Sequence, residues 1–269
     1  MIVFMQTDLE GVSGCTGGGY GFKLDPTKSA RYLELMMGEI NAVVEGCVQA
    51  GADEIIVNEA HAIDLASLHP AAKLARGIRL RNLLPMREFT HAMFVGQHAR
   101  TGLRDAVRSH TGSSKSITGF WINERPCGEF AYVGGLLGER GVPIVFLSGD
   151  SAACQEAEDF VPGIKTVAVE ESESVWGAIC LPPAKTQPML QQGATEALQL
   201  KNIKPLLFDC PVTIKVEYAY PMIADEHARV PGCVRVDDRS VSYSADTFDE
   251  AYRGGVEVLA AILYKYDVF

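Results

Sequence analysis

The chain has 269 residues and a mass of 29.1 kDa, with 47% hydrophobic and 22% charged residues, a formal net charge of −10 and a pI of about 5.1. These values fit a folded protein of one large domain, or a main domain with a smaller appendage, and exclude a disordered chain. Lys and Arg are scattered, so no basic patch is available to bind nucleic acid, and no apolar run approaches the roughly 20 residues that cross a bilayer.

The first elements alternate two periods. Residues 2–5 read as a short buried strand. Residues 27–49 read as a helix, with Tyr32, Leu33, Met36, Met37, Ile40, Val43, Val44 and Cys47 on one apolar stripe. Gly51 stops that helix, and EIIV (54–57), AMFVG (92–96) and PIVFL (143–147) read as three further strands. Strands separated by helical stretches predict βαβ units and a largely parallel sheet. Residues 101–129 are less regular. ITGFWI and the turn residues 123–126 predict a hairpin inserted at the sheet edge, followed by a helix from about Glu129 to Arg140.

After Asp150 a helix (152–160) and the strand TVAVE lead through Pro182-Pro183 to a helix around 189–200. Period-two segments follow at 212–219, 233–238 and 241–244. A last helix is expected from about Thr247 to Lys265, with Asp246 as its N-cap. The expected fold class is α/β: a mostly parallel sheet flanked by helices, with a smaller α+β C-terminal portion. The division falls at 1–150, an α/β metal-binding catalytic body, and 151–269 packed on it, or the two form one continuous domain.

Seven dispersed cysteines without a C-x-x-C pair predict reduced thiols. The N-terminal apolar run has no basic flank and is too short for a signal peptide, so the expected location is cytoplasmic.

Each of the four body strands ends in a polar cluster: T-D-L-E (Asp8, Glu10), N-E-A-H (His61), Q-H-A-R (His98) and S-G-D (Asp150). The carboxyl ends of parallel strands share one edge, where ligands bind. Two carboxylates and two imidazoles there suit Zn²⁺, Mn²⁺ or a related ion. Asp150 alone reads as a helix N-cap. His69 and His91 read as structural or exposed residues and His227 as a surface loop residue, and Cys127 carries no mark of a nucleophile. His110 lies in the polar surround SHTGSS of a functional loop. Glu129 reads equally as a site carboxylate and as a first-turn residue stabilised by the helix dipole. There is no P-loop, no dinucleotide fingerprint in GCTGGGYG (14–21) and no G-x-S-x-G elbow.

Five motifs in order, TDLEGVSG (7–14), VNEAHA (57–62), FVGQHAR (94–100), SHTG (109–112) and INERPCGE (122–129), make the chain resemble the DppA-like family of zinc-dependent D-aminopeptidases. The resemblance implies a dinuclear centre of two Zn²⁺ per chain. Asp8, Glu10, His61, His98 and Glu129 would be its ligands, Asp8 the bridge, and His110 the catalytic histidine. It also implies removal of an N-terminal D-residue from a short peptide such as a D-Ala-containing dipeptide, and a ring-forming homodecamer. Glu59 and Ala60 stand where the family has Asp and Ser; with the glycine-rich 15–22 loop and the residues after His110, they bear on substrate preference rather than on the ligands.

Two other readings compete. A two-metal hydrolase of a phosphoester or non-peptide amide would use the basic residues Arg100, Arg104, Arg108 and Lys115. A metal-stabilised ring or binding protein without turnover would leave His110 unexplained.

Overall fold

The computed structural model describes residues 1–16, 26–263 and 265, so the glycine-rich loop from Gly17 onward and Tyr264 lie outside the described residues. The chain divides into two units that interleave along the sequence: residues 1–99, 104–108 and 141–205 form the first, and 100–103, 109–140 and 206–269 the second.

The first unit holds a seven-stranded sheet in the order β3-β2-β1-β4-β7-β8-β9, with β1 Ile2–Thr7, β2 Glu54–Asn58, β3 Ala72–Ala75, β4 His91–Gln97, β7 Ile144–Asp150, β8 Lys165–Ser174 and β9 Gly177–Cys180. All neighbours are parallel except the edge pair β8–β9. The near-continuous burial of β4 and β7 follows from being covered on both faces. Val3, Met5, Ile55, Val57, Met93 and Val95 pack on one face against helix α1 (Pro26–Gln49), whose Met36, Ile40, Val43, Val44 and Cys47 are fully buried. A second helix (Pro183–Ala197) crosses α1 where Gly46 admits its backbone; a Cβ there would meet the Gln191 carbonyl at 2.3 Å.

This helix starts six residues earlier than the apolar pattern suggested, because Pro183 at N1 presets φ for the first turn and Pro188 is carried inside. Asp150 is an N-cap as expected: its Oδ1 accepts from Ala153 N at 2.8 Å, opening the helix Ser151–Phe160.

The second unit is built on an antiparallel sheet of order β11-β12-β10-β5-β6, with β5 Ile117–Ile122, β6 Arg125–Pro126, β10 Val212–Tyr218, β11 Cys233–Arg235 and β12 Ser240–Ala245. The 117–126 hairpin therefore lies in this sheet and not at the edge of the parallel one. β5 pairs with β10, Phe120 opposite Val216 and Ile122 opposite Ile214, and strict alternation along β10 buries Val212, Ile214, Val216 and Tyr218.

The last helix also differs from expectation. Thr247, not Asp246, caps it, accepting from Glu250 N at 3.2 Å, and the helix breaks into Phe248–Tyr252, a π segment Arg253–Glu257 and Leu259–Leu263. Gly254 and Gly255 occupy the break, pressed on Tyr243 and Ile214 too closely for any Cβ. The parallel α/β sheet flanked by helices, with a separate antiparallel portion, is the expected fold class.

Candidate metal centre

In the first unit the chain fills β2 and β3 on one side of β1 and then returns to β4 on the other. The strand order thus reverses between β1 and β4, and the crevice outside their carboxyl ends is where a ligand is expected. The polar residues after β1, β2 and β4 converge at this point.

Two glycines make the convergence possible. Gly96 has φ +75°, and a Cβ there would lie 2.3 Å from the Asp8 carbonyl oxygen; at Gly11 it would lie 2.0 Å from that of Gln97. The turn after β1 is therefore pressed onto the end of β4, with Asp8 N donating to Val95 O and Gly11 N to Gly96 O, each at 2.8 Å.

Asp8 and Glu10 are each only 6% exposed. His61 Nε2 lies 3.0 Å from both Asp8 Oδ1 and Glu10 Oε2. His98 Nε2 lies 3.3 Å from the other Asp8 oxygen, Oδ2, which also accepts from Gln97 Nε2 at 3.2 Å. The Asp8 carboxylate is thus presented to one imidazole from each oxygen. His98 Nδ1 donates to the Ala99 carbonyl at 2.9 Å, which leaves Nε2 to face Asp8. Glu10 Oε1 is 3.1 Å from Arg108 Nη2, whereas Glu10 Oε2 is buried and has no hydrogen-bond partner among the described residues.

Electrostatically the cluster is strained. Burial, together with the Glu10 charge, pushes the Asp8 carboxyl up to about 6. Burial would raise Glu10 too, but the closeness of His61 holds it well below the ordinary range. His61, against its own burial, is held up to about 11 by the two carboxylates.

The loop that carries His61 is closed by Glu59. Its carboxylate accepts from Ile63 N at 3.0 Å and from Arg76 Nε and Nη2 at 2.8 and 2.7 Å. Such a fork fixes the loop's course more tightly than a single contact.

In the second unit, Glu129 opens the helix Glu129–Glu139. Its Oε1 accepts from Gly112 N at 2.7 Å and lies 3.9 Å from His110 Nε2. The segment around His110 is pinned: Thr111 is fully buried, its Oγ1 accepting from Thr101 N and donating to the Cys127 carbonyl. Gly112 takes φ +74° to turn its N–H toward Glu129.

Asp8, Glu10, His61 and His98 are thus gathered in the first unit, and His110 and Glu129 are neighbours in the second. From sequence Gln97 and Glu59 were noted only as members of the strand-end clusters and Arg108 only as a basic residue near the site, and Arg76 was not singled out. The available signal was their place in or beside the motifs. His227, read from sequence as a surface residue, is instead 1% exposed, bonded through Nδ1 to the Tyr218 hydroxyl at 2.7 Å and through Nε2 to Gly254 O at 2.9 Å. It ties the π segment to β10, and burial depresses its basicity.

Buried carboxylates and imidazoles converging outside the ends of parallel strands are the donor set of a metal-dependent hydrolase. The chain belongs to the D-aminopeptidase family, whose model (Peptidase_M55) matches residues 1–255. It is 30% identical over 264 residues to a D-aminopeptidase of Bacillus subtilis (strain 168), covering 94% of each chain. It is also similar to the solved structure of the Zn-dependent D-aminopeptidase DppA from Bacillus subtilis, described as a self-compartmentalizing protease, with a TM-score of 0.89 and 29% identity over 98% of both chains.

Proposed function

We propose that the chain is a zinc-dependent aminopeptidase that removes an N-terminal D-residue from short peptides, D-Ala-containing dipeptides among them, at a dinuclear centre. The observation that carries this is Glu10 Oε2: a buried carboxylate oxygen with no hydrogen-bond partner among the described residues, 3.0 Å from His61 Nε2 and beside the buried Asp8. A buried anion in that position calls for a cation. The residues present fit zinc in type, with Asp8, Glu10, His61, His98 and Glu129 as the ligands of two ions. The presentation of the two Asp8 oxygens to two different imidazoles supports Asp8 as the bridge.

When bound, zinc supplies a Lewis acid for the scissile carbonyl and lowers the pKa of water. The chain's own groups do the rest. Ala99 and Gln97 fix the orientation of His98 and Asp8. His110 is the group that carries protons, an imidazole being the side chain suited to that work, through Nε2, the atom 3.9 Å from Glu129 Oε1. The basic residues do not favour a phosphate substrate: Arg108 is engaged with Glu10, and exposed Arg104 pairs with its neighbour Asp105. All the proposed ligands fall within residues 1–150. We place the enzyme in the cytoplasm; among the described residues no helix is long and apolar enough to cross a membrane. The self-compartmentalizing relative supports a homo-oligomer, and the family resemblance a decamer.

The test is to load the purified protein with zinc and assay matched D- and L-aminoacyl amides and dipeptides. Turnover of the D-series is expected. His110→Ala should abolish it, by 10² or more, with zinc content unchanged. No hydrolysis of either series at full zinc loading would overturn the peptidase reading, and loss of zinc in the variant would make His110 a ligand instead.

A further inference from the structure

We infer that Arg108 is a positioning residue for Glu10: its guanidinium holds Oε1 so that Oε2 alone is offered to a metal ion. This rests on the reading of Glu10 as a ligand.

The backbone around Arg108 is built to deliver that side chain. Arg108 takes φ +47°, a left-handed conformation that is strained for an L-residue and persists only where the surroundings enforce it. The enforcement comes from two contacts within the same unit. Val107 N donates to Asp150 Oδ2 at 2.9 Å, and Arg108 N donates to Val175 O, in the turn between β8 and β9, also at 2.9 Å. Ala106 and Val107 are fully buried, so the segment has no freedom to slide. Asp150, the helix cap at the end of β7, therefore has a second task in fixing this segment.

From that anchored position Arg108 Nη2 reaches Glu10 Oε1 at 3.1 Å, with the Arg108 side chain 13% exposed. In this low-dielectric setting the charge-assisted contact is stronger than it would be in water. The two oxygens of Glu10 consequently have different partners. Oε1 faces a guanidinium and Oε2 faces His61 Nε2. A carboxylate held this way is directed to bind a cation through one oxygen, and the arginine prevents it from swinging to take the ion through both. Outer partners of this kind set the orientation of the ligand, and their loss costs roughly 10–100-fold in metal affinity. Arg108 also sets a positive charge against the excess negative charge of Asp8 and Glu10. Its replacement by an apolar side chain would leave Oε1 buried and unpaired.

The experiment is zinc titration of the metal-stripped full-length protein against a chelator of known affinity, with Co²⁺ absorption as a second readout of ligand geometry. Arg108→Met and Arg108→Lys are compared with the parent protein and with Glu10→Gln. The expected result is a 10–100-fold loss of affinity at one of the two ions in Arg108→Met and a smaller loss in Arg108→Lys. A changed Co²⁺ spectrum should accompany both. Parental affinity and spectrum in the Arg108 variants would overturn the inference. Should Arg108→Met fail to fold, Arg108→Lys decides alone: weakening of threefold or more supports the role, and parental affinity removes it. Failure of the underlying reading has a different signature, because Glu10→Gln would then bind zinc as the parent does.

Discussion

Glu39 lies on α1, 3% exposed, with Oε1 accepting from Ser13 N at 3.1 Å and Oε2 without a hydrogen-bond partner among the described residues. Burial pushes its carboxyl up to about 8, the bond from Ser13 pulling down and the nearby Glu170 adding to the rise. A carboxyl raised in the folded state stays protonated there while the unfolded chain ionises near 4.5, so the unfolded state binds fewer protons and stability falls as pH rises between about 4.5 and 8. Glu39→Gln removes that dependence. The variant should equal its parent near pH 4.5 and exceed it at pH 8 by on the order of a few kcal/mol, read as the difference in urea midpoints at the two pH values. At the same scale, Asp8, Glu10, His61 and His98 were legible as candidates because each follows an apolar strand within a few residues, whereas Glu129 opens a helix and read equally as a first-turn residue. Arg108 was legible only as a basic residue of the inserted piece, since its role depends on a φ that nothing in DAVRS announces. His227 was misread through its polar neighbours in DEHARVPG, although Pro221 at N1 and the spacing Ile223, Ala224, His227 mark the buried face of a short helix.

Among elements, the turn after β1 decides whether the site exists. Gly96 and Gly11 let two backbone segments approach to a distance that no side chain permits. Gly96→Ala would combine a positive φ with a Cβ 2.3 Å from the Asp8 carbonyl and 2.7 Å from Val12 Cγ2. It should destabilise the protein by about 2–4 kcal/mol and lower zinc retention in parallel, because the displaced atom belongs to Asp8; urea unfolding and metal content after dialysis check the two effects. The final helix shows what could have been read better. T-F-D-E at 247–250 has the spacing of a capping box, and Thr247 is the cap. The same N-terminus receives Glu139, the last residue of the helix Glu129–Glu139, whose carboxylate accepts from Phe248 N at 2.7 Å and Asp249 N at 2.8 Å. A contact spanning 109 residues leaves no local trace in the sequence.

For the whole molecule, the alternation of strand and helix was enough to define the class of fold and to put Asp8, His61 and His98 on one sheet edge. It could not supply the order β3-β2-β1-β4-β7-β8-β9, and that order places β1 between β2 and β4 and brings their ends together. Nor could it show that the 117–126 hairpin pairs with β10 some 90 residues away, since strand pairing at that separation depends on tertiary packing rather than on local pattern. The interleaving of two units along one chain has the same origin. The central claim concerns composition of the site, so the most direct measurement is the zinc stoichiometry of the purified full-length protein after exhaustive dialysis, by elemental analysis against protein concentration. Two zinc ions per chain are predicted, and a chain that retains none would contradict the account.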